Sequence, residues 1–299
     1  MCGTIGARAA GAELVRGGRV AVVLALASAV VYGASDFLGG LSSRRASVFG
    51  VVVLSQAVGL LALLVLLPWL GGPVQPADLA WGAAAGLAGA AGLVVFFRAL
   101  ASGVMSVVAP VTAVTAAAVP VLVGLASGDS VTAWAAVGIV LALVAVVLVS
   151  ADGGLSALRT ARPASLLPAL VAGAAFGVFF VLLDRISADA GLTPLVAARV
   201  VSAAFVGCLA LVGRKSLRVP RPALPLVAAS GVGDMSANAL FLLATQQGGA
   251  LAITGVLALL YPVSTVVLAQ LVLRERLGRA QVAGLVTAVA AVVLITLPG

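Results

Sequence analysis

The sequence has no histidine, two cysteines and very little charge. Without histidine there is no imidazole metal site, no Ser-His-Asp or Cys-His catalysis and no imidazole pH sensor. Cys2 lies in a polar stretch and Cys208 in an apolar run, with no Cys-x-x-Cys pair. Neither a zinc site nor a disulfide framework is indicated. No Walker sequence GxxxxGK[ST] is present, which excludes ATP hydrolysis by that route. Charged residues make up 9% of the chain, against about 25% in an ordinary soluble domain.

What the chain does have is apolar: 63% hydrophobic residues and 35 glycines among 299 residues. A soluble fold of about 300 residues leaves about a quarter of its unfolded surface exposed, too much for so apolar a chain. A soluble enzyme or a nucleic-acid-binding module is therefore excluded, and the chain reads as an integral membrane protein. The apolar runs are long and unbroken and lack the alternation of barrel strands, so the spans are helices. The formal net charge is +8. The arginines sit between apolar runs, so they speak of membrane topology, not of nucleic acid.

A helix needs about 20 residues to cross the hydrocarbon core. Runs of that length lie near 20–40, 48–68, 79–99, 104–126, 131–150, 165–184, 194–213, 223–244, 250–273 and 280–298. Arg8, Arg16 and Arg19 before AVVLALASAVVYGAS mimic a secretory leader, but the run continues to Gly40, long enough to span. The reading is an all-α membrane protein with a tail (1–19), a five-helix unit (20–150), a linker (151–165) and a second five-helix unit (166–298). The units look like copies. Ala29-xxx-Gly33 pairs with Gly173-xxx-Gly177 and Tyr32-Gly33 with Phe176-Gly177, all at an offset of 144. Gly86 and Phe96 match Gly231 and Phe241 at 145, and Asp129 and Gly138 match Glu275 and Gly284 at 146. Because five is odd, the second copy enters the membrane in the opposite sense. That predicts two inverted five-helix repeats, an arrangement typical of secondary transporters.

The stretch ALAITGVLALLYPVSTVVLAQLVLRERLGRAQVAGLVTAVAAVVLI (250–295) combines a small-residue helix, Tyr-Pro, an Arg-Glu-Arg turn and a Gly-containing last helix. With YGASDFLGG in the first span and ARVVSAA at 198–204, it resembles the drug/metabolite transporter superfamily of the type with two EamA domains. Residues 99–150 follow the pattern less closely: Ala116 stands for the proline seen at Pro262, and Asp129 for the usual Glu. The resemblance implies ten helices around a central cavity, transport of small metabolites, often export, and both termini in the cytoplasm.

The loop charges disagree with that last implication. Ten spans put Arg8, Arg16, Arg19 and Arg185 on the face of the termini. The opposite face carries Arg44, Arg45, Arg98, Arg159, Arg162, Arg214, Lys215, Arg218, Arg221, Arg274, Arg276 and Arg279. The positive-inside rule places the richer face in the cytoplasm. A miscounted helix would reconcile the two, and the resemblance, which covers nearly the whole chain, is given slightly more weight.

Asp36, Arg199 and Asp234 fall within spans. Ionisable groups there are costly and face a cavity or a partner. Ser230, Asp234, Asn238, Phe241 and Thr245 recur at helical spacing and form one polar face, read as cavity lining. Asp234 is the candidate proton site; its structural alternative is a permanent salt bridge, for example to Arg199, or helix glue through Asn238. Asp36 shares a face with Ser28, Tyr32, Ser35 and Gly39. It serves substrate or pairs with Arg44 or Arg45. Tyr32 offers a ring and a hydroxyl to a substrate. Arg199, near the start of its span, binds an anionic group, snorkels to the interface or neutralises an aspartate. Gln56 in the second span and Gln270 in the ninth are weaker ligand candidates and read more readily as interhelical glue.

Tyr261-Pro262 sits mid-span, where proline removes a backbone hydrogen bond. Pro110 and Pro120 bracket the middle of the fourth span. The pairs Gly82-xxx-Gly86 and Gly173-xxx-Gly177 read as close helix packing. Asp129 and Glu275 read as helix caps. The expected function is a multi-pass plasma-membrane secondary transporter, exporting a small organic metabolite or drug-like compound by alternating access, with protons as the candidate coupling ion. Its candidate binding residues are Asp234, Asn238, Tyr32, Tyr261, Asp36 and Arg199. The partners are a small-molecule substrate and membrane lipid, with no nucleic acid, metal or cofactor. The alternative is a non-transporting scaffold or lipid-handling subunit.

Overall fold

A computed structural model of the protein describes residues 3–102, 105–150, 163–274 and 276–297. Glu275 and most of the linker (151–162) lie outside the described residues. The helices are α1 (Gly3–Ser43), α2 (Val48–Leu70), α3 (Pro76–Ser102), α4 (Met105–Ala126), α5 (Ala133–Ser150), α6 (Pro163–Asp184), α7 (Pro194–Val212), α8 (Leu224–Gln246), α9 (Leu251–Ala258), α10 (Tyr261–Leu273) and α11 (Arg279–Thr296). A single turn of 3₁₀ helix (Arg221–Ala223) leads into α8. Ten helical segments are long and apolar enough to span a membrane, α9 and α10 together forming one of them. The segment expected to be a tail is helical from Gly3, continuing α1 beyond its span, which starts at Gly17.

The proline pattern accounts for the one broken span. Pro262 has no N–H to give, and the helix stops at Ala258 and restarts at Tyr261. At the matching position of the first unit Ala116 keeps its N–H, and α4 runs on as helix through Pro110 and Pro120.

The helix pairs repeat with two-fold logic. α1 packs on α8 and α6 on α3; α1 packs on α9 and α10, and α6 on α4; α2 meets α7, α5 meets α11 and α4 meets α9. Directions follow from named contacts. Ser28 donates to the Ala237 carbonyl (2.8 Å) and Ser35 to the Ser230 carbonyl (2.6 Å), so α1 and α8 are antiparallel. Thr112 donates to the Ala169 carbonyl (3.1 Å), and Gly177 lies against the Ala116 carbonyl further along, so α4 and α6 are parallel. Every such pair fits alternating spans, with the second unit inverted relative to the first.

Small residues let these helices touch. A Cβ on Gly33 would meet Ser264 Oγ, the Tyr261 carbonyl and the Thr265 amide, so α1 lies directly on the start of α10. Ser264 and Thr265 donate back to the Ala29 (3.0 Å) and Gly33 (3.2 Å) carbonyls. Gly82 and Gly86 likewise abut the Pro194 and Ala198 carbonyls of α7. In lipid there is no hydrophobic force between helices, and close contact of this kind holds them together. The outer surface is apolar: Val23, Leu61, Val65, Leu122, Val140 and Leu167 are exposed, as lipid-facing residues must be. All three tryptophans, Trp69, Trp81 and Trp134, are exposed near the face of the termini, at the level of an aromatic belt.

Two ties cross between the units at that face. Asp129, expected to cap the helix following it, instead accepts the Ala252 amide at the start of α9 (2.9 Å). The loop 185–193 folds back into the protein, with Ile186, Ala190 and Leu192 buried. Asp78 Oδ1 accepts the Ser187 amide and hydroxyl (both 2.9 Å), and Gln246 donates to the Ser187 and Gly191 carbonyls (both 3.1 Å).

Candidate functional site

The inward loop decides where Arg199 sits. Counted along the sequence, Arg199 is near a span end; because α7 starts deep beside Gly82, it lies inside the bundle and is buried. It does not snorkel. Its Nη2 pairs with Asp234 Oδ2, its Nη1 donates to Gln56 Oε1 and its Nε points at Met235 Sδ (3.2 Å). Gln56 Nε2 donates in turn to Ser202 Oγ (2.6 Å). One polar chain thus joins α2, α7 and α8, with every polar side chain satisfied by a neighbour, as a low-dielectric interior requires.

The polar face of α8 divides its work. Asp234 is 36% exposed in its side chain. Asn238 is buried and turns its amide to the Asp234 carbonyl (2.7 Å) and toward Asp234 Oδ2 (3.5 Å). It braces the carboxylate and does not face an opening. Ser230 donates to the Ser35 carbonyl (3.0 Å), and Phe241 is fully buried. Of the buried-face residues expected to line a cavity, Ser230, Asn238 and Phe241 serve helix contacts, and Asp234 is the accessible one.

Asp36 differs from both charged neighbours. Its side chain is exposed although it falls within a span. It lies about two turns of α1 before Ser43, on the face opposite the termini. Asp234 and Tyr261 are within its electrostatic reach. It has no ion-pair partner among the described residues, and neither Arg44 nor Arg45 neutralises it.

One turn earlier, on the same face of α1, is Tyr32. Its ring stands 6.0 Å from Phe180, edge to face, and 6.2 Å from Tyr261, tilted by 53°. Phe180 continues the cluster to Phe241 at 4.7 Å. Tyr32 is 8% exposed, and its hydroxyl has no hydrogen-bond partner. The charged groups facing it are Asp234, Arg199 and Asp36.

Five of the six residues singled out in the sequence therefore converge: Tyr32, Asp36, Arg199, Asp234 and Tyr261, drawn from both units, with Asn238 behind Asp234. Sequence reading missed Phe180, Ser202 and Met235. Ser202 follows Arg199 by three residues, on the same helix face, which was a usable signal. Phe180 occupies the position that Asp36 holds in the first unit, at the offset of 144. No composition rule marks it, because a phenylalanine in a membrane helix is ordinary.

Comparison with known proteins gives a consistent picture. No match was found among curated protein sequences. A solved structure titled "Crystal structure of protein" shares the fold, with a TM-score of 0.73 and 17% identity, over 92% of this chain and 96% of that one. A sequence model of the EamA-like transporter family matches residues 19–151 and again 164–297. Matched twice over nearly its whole length, the chain belongs to the EamA-like transporter family.

Proposed function

We propose that the protein is a secondary transporter of the plasma membrane that exports a small organic metabolite by alternating access. Membership of a transporter family supports transport of a small molecule across a membrane. The observation that carries the finer reading is the convergence of Tyr32 and Asp36 from the first unit with Arg199, Asp234 and Tyr261 from the second. A substrate held there touches both inverted units, so a rocking of one against the other would expose it to either side in turn. The broken span between α9 and α10 supplies a hinge beside the same site. Asp234 is the candidate proton carrier, since a proton on its carboxylate would release Arg199 and loosen α7 from α8.

The test compares extracellular metabolites of cells expressing the wild type and Asp234→Asn at matched levels. A compound that accumulates outside only with the wild type is the expected result. No difference across a broad panel would overturn export. Unchanged transport and unchanged pH dependence in Asp234→Asn would remove that residue from the mechanism.

A further inference from the structure

The charges within the site do not balance. Three ionisable side chains of acid or base type meet there: Arg199, Asp234 and Asp36. The guanidinium is committed, with Nη2 on Asp234, Nη1 on Gln56 and Nε on Met235. Three of its five N–H donors are taken and its side chain is 10% exposed, so it is poorly placed to receive a carboxylate or phosphate of a substrate. Asp234 is matched by Arg199. Asp36 is left over, exposed and without an ion-pair partner among the described residues.

A second, independent feature points into the same space. The Tyr32 hydroxyl is buried and unpartnered, one of two such side-chain atoms among the described residues, the other being Asp78 Oδ2 near the face of the termini. Tyr32 lies one turn before Asp36 on the same face of α1. An unsatisfied hydroxyl beside an unneutralised carboxylate is a site short of one donor and one positive charge. The surroundings select what kind of donor. Tyr32 and Tyr261 stand tilted, not stacked, and Phe180 and Phe241 extend the aromatic wall behind them. Ring faces attract an organic cation, and more so where water is excluded. An anion would meet Asp36 and the negative faces of the rings. A neutral solute would leave Asp36 unbalanced.

We propose that this site binds a small organic cation, an ammonium carrying an apolar group. The ammonium sits against Asp36 and the Tyr32 hydroxyl, and the apolar part lies against Tyr261, behind which Phe180 and Phe241 are packed. This rests on the reading of the site as a transport site and names its substrate class. Arg199 then is a positioning residue that holds Asp234 in place; it is not an anion receptor.

The experiment uses the full-length protein in liposomes and three isosteric radiolabelled probes: phenethylammonium, 2-phenylethanol and 3-phenylpropionate. Binding and counterflow are measured separately, and a series of primary, secondary and tertiary arylalkylammonium ions extends the cationic arm. The expected result is saturable binding by members of the cationic series, about tenfold or more tighter than the alcohol and the carboxylate. Asp36→Asn should weaken cation binding roughly 10- to 100-fold, with Asp36→Glu recovering part of it. Tyr32→Phe should cost about threefold to tenfold. Saturable binding of the carboxylate or the alcohol in preference to every cation overturns the proposal, as does unchanged cation binding in Asp36→Asn. No saturable binding of any cation to the wild type overturns it as well. Cation binding without counterflow keeps the proposal and refutes transport instead. Counterflow of neutral or anionic solutes alone does the reverse.

Discussion

Replacing Arg199 by methionine keeps the length and the apolar stem of the side chain and removes the charge. It strips Asp234 of its partner and Gln56 Oε1 of its donor. Breaking a fully buried ion pair from one side costs about 3–5 kcal/mol. Asp234 is 36% exposed, so solvent screening lowers that to about 2–3 kcal/mol. The lost donation to Gln56 adds about 1 kcal/mol. A loss of about 3 kcal/mol lowers the melting temperature of a chain this long by roughly 5–10 °C. The double variant Arg199→Met with Asp234→Asn leaves no orphan charge and should recover more than half of that loss, a coupling of about 1–3 kcal/mol. The assay is thermal unfolding of the detergent-purified protein, followed by loss of the monodisperse peak in size exclusion. Two results would refute the reasoning. One is an Arg199→Met variant that melts with the wild type. The other is a double variant no better than the sum of the two single ones.

Other expectations follow from the packing. Gly33→Ala drives a methyl into the Tyr261 carbonyl and the Ser264 hydroxyl and should destabilise by about 1–3 kcal/mol. Gly18→Ala, which meets nothing within 4 Å, should leave the melting temperature unchanged or raised. Asp129→Ala removes the acceptor of the Ala252 amide and should cost about 1 kcal/mol, read by the same unfolding assay. Ten spans among the described residues leave no miscounted helix to explain the loop charges, so weight moves to the arginines. Reporters fused at the C-terminus should show it outside and the 151–165 linker in the cytoplasm; a cytoplasmic C-terminus would mean that the positive-inside bias is overridden in this chain.

The spans, their number and their pairing into copies were legible because each depends on local pattern. A run of about 20 apolar residues between polar breaks is a span wherever it sits, and Gly33, Gly82 and Gly86 mark contacts by their size alone. Charges inside such runs were equally plain. Less plain was what each charge faced. Arg199 lay near a span end in sequence and deep in the bundle in space, because the loop 185–193 turns inward and carries the start of α7 with it. Asn238 and Ser230 shared a helix face with Asp234, yet only Asp234 on that face is accessible while Ser230 and Asn238 are buried. Helical periodicity gives the face but not what stands opposite it.

The chain by itself determined a ten-span, duplicated and inverted helical protein, since hydrophobic length, repeat offset and an odd count of helices per copy suffice for that. Tertiary structure alone decided that Arg199 answers Asp234 and that Asp36 goes unanswered. The scaffold is symmetric because the same small-residue contacts recur in both units. The site is asymmetric because three charges, each present in only one copy, are brought together across the two-fold arrangement. Distances between helices far apart in sequence fix which charges are neutralised, and no periodicity within one helix records them.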